Sequence, residues 1–113
     1  MRPAALYDTI VIAGVGLIGG SIGLGIRQRF LAKHVIGLDH DPVTLEAALG
    51  MGVIDEAKLS PGEWLAKADL IILGTPVKSL VPLAQSLEPF IGRHTVVTDV
   101  GSVKTEIVHA LSH

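Results

Sequence analysis

Ile10-Val11-Ile12-Ala13 runs directly into Gly14-Val15-Gly16-Leu17-Ile18-Gly19, and Asp39 follows twenty positions after the last of these glycines, closing a second apolar run, Val35-Ile36-Gly37-Leu38. A strand, three spaced glycines, a helix and then an acidic residue suit a pyrophosphate lying on a helix N-terminus. The first glycine makes the turn, the second lets the backbone approach the phosphates, and the third lets helix and strand pack closely. Gly14, Gly16, Leu17, Ile18 and Gly19 are therefore the expected diphosphate cradle, where unpaired helix N–H groups and a partial positive charge meet the ligand. Asp39 is placed to accept from both hydroxyls of an adenosine ribose. Its charge repels a 2′-phosphate, and no Arg or Lys occurs from 34 to 57, which favours NAD over NADP. The plainer reading of Asp39 is a solvated turn residue, a part that Asp41 already fills as a helix cap.

Outward from this segment, strand and helix patterns alternate. Thr9–Ala13 is the first expected strand and Leu17 to about Phe30 the first helix, with Gly19 and Gly23 on one face beside Ile18, Ile22 and Ile26. Interior glycines cost a helix roughly 1 kcal/mol each, so close packing on the sheet is the expected compensation. His34–Leu38 is the second strand. Asp41-Pro42 reads as an N-cap with proline at the first helical position, opening a helix over Val43–Leu49 that Gly50 or Gly52 ends. Val53–Leu59 is a connector with room for a short third strand. Ser60-Pro61-Gly62-Glu63 has capping-box spacing and predicts a short helix through Ala68. Asp69–Leu73 is the next strand, Leu80–Phe90 a helix with Pro82 in its first turn, and Thr95–Asp99 a strand before a last helix opened by Ser102. The fold class is α/β: a Rossmann-type, doubly wound parallel sheet in three layers. At most five strands are countable against the six of a complete nucleotide-binding sheet, so the pattern reads as cut short before the last strand.

At 113 residues the chain has the length of one domain, 1–113. Nine basic against eleven acidic residues give no electrostatic ground for binding nucleic acid or an anionic membrane. The absence of cysteine excludes disulfides, thiolate nucleophiles and Cys-ligated zinc, and suits a reducing, cytoplasmic setting. Thr9 to Ile26 is uncharged and carries Gly-x-x-x-Gly spacings, but six of its eighteen residues are glycine and the fingerprint explains most of them. No membrane span is expected, and no Lys/Arg-rich flank or small-residue cleavage site marks a signal peptide. The chain is apolar for its size, with a mean hydropathy of +0.54. Parallel strands buried on both faces raise that figure, and so does surface meant to be covered by further chain.

Two more segments lie where strands end. Gly74-Thr75-Pro76-Val77 leaves the fourth strand on the edge where open α/β sheets bind ligands. Thr75 and Pro76 either line the cofactor site or form a plain turn. Asp99-Val100-Gly101-Ser102-Val103-Lys104 leaves the fifth strand on the same edge, and Ser102 either caps the next helix or turns its hydroxyl toward a substrate. The five histidines, His34, His40, His94, His109 and His113, show no ligand spacing, so no metal site is expected. His40 is a neighbour for the adenine.

Together, Gly14 to Gly19 with Gly20-Ser21, Gly37-Leu38-Asp39, Thr75-Pro76-Val77 and Asp99 to Lys104 resemble the start of the prephenate and arogenate dehydrogenases. The Gly-Gly-Ser extension and the Asp-Val-Gly-Ser-Val-Lys segment are the more specific parts. The resemblance implies an NAD-linked oxidative decarboxylation in tyrosine biosynthesis, with hydride leaving the hydroxyl-bearing ring carbon of a small substrate, prephenate or arogenate. It implies that Ser102 orients substrate and a catalytic histidine, and that a helical domain absent from this chain supplies carboxylate-binding arginines and a homodimer interface. The family's catalytic histidine sits in a His-Pro motif beyond residue 113. His109 and His113 come too early and lack the proline, so the chain by itself is expected to bind NAD without catalysing. Two other functions fit the same residues: another NAD-dependent reductase or hydroxyacid dehydrogenase, and a stand-alone NAD-sensing module.

Overall fold

The computed structural model describes residues 7–75 and 77–99, at 17–20 and 77–80 through the backbone alone. Five parallel strands, β1 (Tyr7–Ala13), β2 (Ala32–Leu38), β3 (Glu56–Lys58), β4 (Leu70–Leu73) and β5 (Val96–Asp99), form one sheet in the order β3-β2-β1-β4-β5. That is the doubly wound order, with the direction of winding reversing between β1 and β4. The helices are α1 (Leu17–Gln28), α2 (Pro42–Gly50) and α3 (Val77–Leu87), with short 3-10 turns at Glu63–Lys67 and Glu88–Phe90.

The strand period of two sorts β1 between two cores. Ile10 and Ile12 face one way and join Ile22 and Ile26 of α1 and Leu45 and Ala48 of α2. Val11 and Ala13 face the other way and join Leu65, Ala68 and Leu87. A strand buried on both faces needs no polar alternation, which is why β1 and β4 read as continuous apolar runs. Gly23 marks the close approach of α1: a Cβ there would come within 2.9 Å of the Val53 carbonyl oxygen and 3.1 Å of Ile12 Cδ1. Among the described residues no polar or charged side chain is fully buried, and no helix is long and apolar enough to cross a membrane.

Local signals held where they were chemical. The Asp41 carboxylate accepts from Val43 N at 3.0 Å and from the Thr44 hydroxyl at 2.9 Å, capping α2 ahead of Pro42. The same two donors hold that carboxyl below its usual range. At the other end Gly52, with φ of 74°, turns the chain so that Val53 N reaches Ala48 O at 3.1 Å.

Three expectations are corrected. Ser60 caps nothing, because Gly62 in extended conformation precedes the 3-10 turn at Glu63 and no side chain caps it. The helix expected over Leu80–Phe90 starts at Val77, directly after the turn leaving β4, which puts Pro82 in its interior and removes one helix hydrogen bond. β1 starts at Tyr7 rather than Thr9, since Tyr7 pairs with Ala32 of β2 and its amide donates to Leu31 O at 3.0 Å, while Asp69 Oδ2 accepts the Asp8 and Thr9 amides at 2.9 and 3.0 Å. The helix expected from Ser102 lies outside the described residues.

Candidate functional site

Strand registers bring the sequence-predicted residues to one edge. Ala13 pairs with Leu38 on one side and Leu73 on the other, and Leu73 pairs with Asp99. The segments beginning at Gly14, Asp39 and Gly74 therefore leave the sheet at one level, on the carboxyl side of the strands where open α/β sheets bind ligands. Main-chain bonds extend the ladder by one step: Gly14 N donates to Leu38 O at 2.7 Å, Gly74 N to Ala13 O at 2.8 Å, and Asp39 N to Lys58 O at 3.1 Å.

Gly14 has φ of 87°, and a Cβ there would lie 2.5 Å from Thr75 Cγ2. Only glycine combines that backbone with that contact. Gly16 differs. It stands at the N-cap of α1, makes no side-chain cap, and a Cβ on it would meet nothing within 4 Å. The residue that opens the helix thus faces open space, over first-turn amides that lack helical acceptors. Leu17, Ile18 and Gly19 form that first turn.

Asp39 is the hub of the site. One oxygen, Oδ2, accepts the Val15 amide and the other, Oδ1, accepts the Asp41 amide, both at 2.9 Å. The side chain is only 11% exposed, and His40 Nδ1 stands 3.6 Å from Oδ1 on a fully exposed ring. Each carboxylate oxygen has capacity for a second donor, so binding the loop leaves Asp39 able to receive two hydroxyls. The Asp39 carboxylate also stiffens the glycine turn, a role that sequence spacing does not reveal.

Gly14, Asp39 and Thr75 line a cleft of about 170 Å³, closed by Leu38, Leu59, Pro61 and Leu83. Its walls are apolar and its polar groups few, the usual make-up of a small-molecule site. Leu59, Pro61, Leu83 and Ser86 were not singled out from the sequence; apolar residues near strand ends give no local sign of sharing one cavity. Thr75 Oγ1 is buried and has no hydrogen-bond partner among the described residues. A buried hydroxyl without a partner is costly, and its position beside this cleft makes it a donor awaiting an acceptor. Pro76, Ser102, His109 and His113 lie outside the described residues. Among the described residues no group of His, Cys, Asp or Glu could hold a metal ion.

A hydroxyl without a partner among the described residues, a glycine at a helix start and a carboxylate with spare lone pairs are groups that a dinucleotide's diphosphate and ribose can use. Comparison with known proteins points the same way. Residues 22–113 match the family described as "Prephenate dehydrogenase, nucleotide-binding domain". The chain is 41% identical over 104 residues to prephenate dehydrogenase of Bacillus subtilis (strain 168), covering 91% of this chain and 28% of that one. It is 36% identical over 100 residues to the Lactococcus lactis subsp. cremoris enzyme of the same name, covering 88% and 28%. Among solved structures it is similar to Synechocystis arogenate dehydrogenase, with a TM-score of 0.74, 32% identity and coverage of 80% and 32%. It is also similar to prephenate dehydrogenase from A. aeolicus in complex with hydroxyphenyl propionate and NAD+, with a TM-score of 0.75, 25% identity and coverage of 88% and 38%. The chain spans 28% of the length of the first two curated relatives.

Proposed function

Since the chain belongs to the prephenate dehydrogenase nucleotide-binding-domain family, we propose that it binds NAD in the cleft between Gly14, Asp39 and Thr75, as the coenzyme-holding part of a dehydrogenase acting on prephenate or arogenate. The observation that carries this reading is Asp39, which lines the cleft and whose two oxygens are each fixed by one amide, of Val15 and of Asp41, with capacity for a second donor. Fixed acceptors lose little freedom when a ribose arrives, which favours affinity.

Gly14 and Gly16 shape the turn under the diphosphate, and the amides of Leu17, Ile18 and Gly19 face its charge. Asp39 takes the ribose hydroxyls, and its charge selects against a 2′-phosphate. Thr75 gives its hydroxyl to the coenzyme. NAD, when bound, supplies a hydride acceptor. By the family resemblance Ser102 orients the substrate and the histidine that takes its hydroxyl proton. Residues 1–113 form the NAD-binding domain, and the whole protein is a cytoplasmic homodimer joined through a separate helical domain that binds the substrate.

Calorimetric titration of the 113-residue chain with NAD+ tests the coenzyme reading: saturable 1:1 binding that NADH competes away is expected, and a flat titration of folded protein overturns it. The substrate reading is tested on the whole protein. Reduction of NAD+ with prephenate or arogenate supports it, and turnover of neither refutes it.

A further inference from the structure

Selection against a 2′-phosphate rests, in the sequence, on Asp39 and on a stretch without cations that ends at residue 57. The next residue is Lys58. Strand pairing brings it against the site: Lys58 is the partner of Leu38 in the β2–β3 register, and its carbonyl accepts the Asp39 amide at 3.1 Å. Its side chain lies on the face of the sheet that bears the cleft. Lys58 Nζ sits 5.7 Å from the centre of the Trp64 ring, and Trp64 packs against the same core cluster that holds Leu38 and supports Leu83, two residues of the cleft wall.

The ammonium nevertheless turns away from the ligand edge. It pairs at 3.0 Å with Glu56, two residues back along β3 and toward the amino end of the strands. Glu56 is itself held by His34 Nε2 at 2.9 Å, from β2. Hydrogen bonds from His34 and then Lys58 keep its carboxyl below the usual range, so the anchor stays charged through neutral pH. A lysine has a flexible four-carbon stem. One that starts a single main-chain hydrogen bond from Asp39 can swing back to Glu56 or forward to the ribose.

The geometry points to Lys58 as a latent partner for a 2′-phosphate, parked on Glu56 and Trp64, so that coenzyme selectivity depends on the Glu56–Lys58 pair as well as on Asp39. This deepens the dinucleotide reading of the cleft and rests on it. The lysine and glutamate side chains are 34% and 42% exposed, and such pairs are weak. Releasing the lysine therefore shifts the NADP/NAD preference by about three- to fivefold, and Asp39 remains the larger barrier.

The test is titration with NAD+ and NADP+ at low salt, in the native chain and in an Asp39→Asn background that makes NADP+ binding measurable. Glu56→Gln is expected to tighten NADP+ about three- to fivefold while NAD+ affinity holds within about twofold. Adding Lys58→Met to Glu56→Gln is expected to return the ratio to its starting value or below, and raised salt to shrink the whole effect. NAD+ binding with the same coenzyme ratio in Glu56→Gln and Glu56→Gln/Lys58→Met overturns this inference alone. A folded native chain that binds neither coenzyme overturns the cleft reading and this one with it.

Discussion

Asp39 Oδ2 accepts the backbone amide of Val15 at 2.9 Å across twenty-four residues of sequence, so the acidic end of β2 and the glycine turn after β1 are one mechanical unit. The same carboxylate holds the Asp41 amide, which starts α2. Loop geometry, and the ribose recognition proposed for this site, thus depend on a single side chain.

Asp39→Ala is accordingly expected to do two things. NAD+ affinity falls by about 10- to 100-fold, as for the loss of hydrogen bonds to a charged group, and discrimination against NADP+ narrows. Stability falls by about 1–3 kcal/mol, because the Val15 and Asp41 amides lose their acceptor. Paired titrations and thermal melts check both. Unchanged binding of both coenzymes refutes the ribose role, and an unchanged melt refutes the structural one.

The first two glycines of the turn should separate folding from binding. Gly14→Ala forces an alanine to φ of 87° and drives its Cβ against Thr75 Cγ2 at 2.5 Å. A loss of about 2–4 kcal/mol is expected from the left-handed backbone and the clash together. Gly16→Ala meets nothing within 4 Å, so without a clash its melt should fall by less than that of Gly14→Ala. Its NAD+ affinity should still fall at least tenfold, because the new methyl group stands where the proposed cradle receives the diphosphate. A Gly16→Ala chain that binds NAD+ normally contradicts the assigned cradle.

Much of the fold was legible because its core strands are buried on both faces and leave unbroken apolar runs such as Ile10–Ala13 and Leu70–Leu73. The glycine turn was legible because a backbone at φ of 87° packed against Thr75 demands glycine at Gly14, whereas the bond from Val15 N to Asp39 was not, because it joins residues far apart in sequence. The failures share a cause in contacts distant in sequence. Tyr7 and Asp8 belong to β1 because Tyr7 pairs with Ala32 of β2, and Asp69, sixty-one residues past Asp8, holds the Asp8 amide. Lys58 falls one residue outside the charge-free stretch, and only the pairing of β2 with β3 makes it a neighbour of Asp39. Pro82 sits inside α3 because apolar burial of Leu87 and packing of Leu83 outweigh the lost hydrogen bond.

Thr75→Val tests the part played by the Thr75 hydroxyl. The replacement keeps the shape packed over Gly14 and removes a buried polar atom that has no partner among the described residues. The ligand-free chain is expected to be as stable as the native one or more so, by up to about 1 kcal/mol. NAD+ affinity is expected to fall by about three- to tenfold, the worth of one neutral hydrogen bond. Melting with and without NAD+ reads both quantities. A variant destabilised in the absence of coenzyme shows that the hydroxyl already has a structural partner.

Acid should loosen the β2–β3 side of the sheet first. Burial works to raise the Asp55 carboxyl, but the Val35 amide and the Arg27 guanidinium together outweigh it, with His34 assisting, so it titrates below its ordinary value. His34 and Lys58 depress Glu56 in the same way. A carboxyl with a depressed folded pKa adds stability that is complete above its unfolded value, about 4, and is lost as pH falls through the folded one. The melting temperature is therefore expected to be flat in these groups above about pH 5 and to drop below about pH 4. Asp55 Oδ2 accepts the Val35 amide at 2.8 Å and Oδ1 pairs with Arg27 at the end of α1, so Asp55→Asn should lower the plateau and make the acid slope shallower. Melts of both chains from pH 3 to 7 decide it: parallel curves would mean that Asp55 carries none of the acid sensitivity.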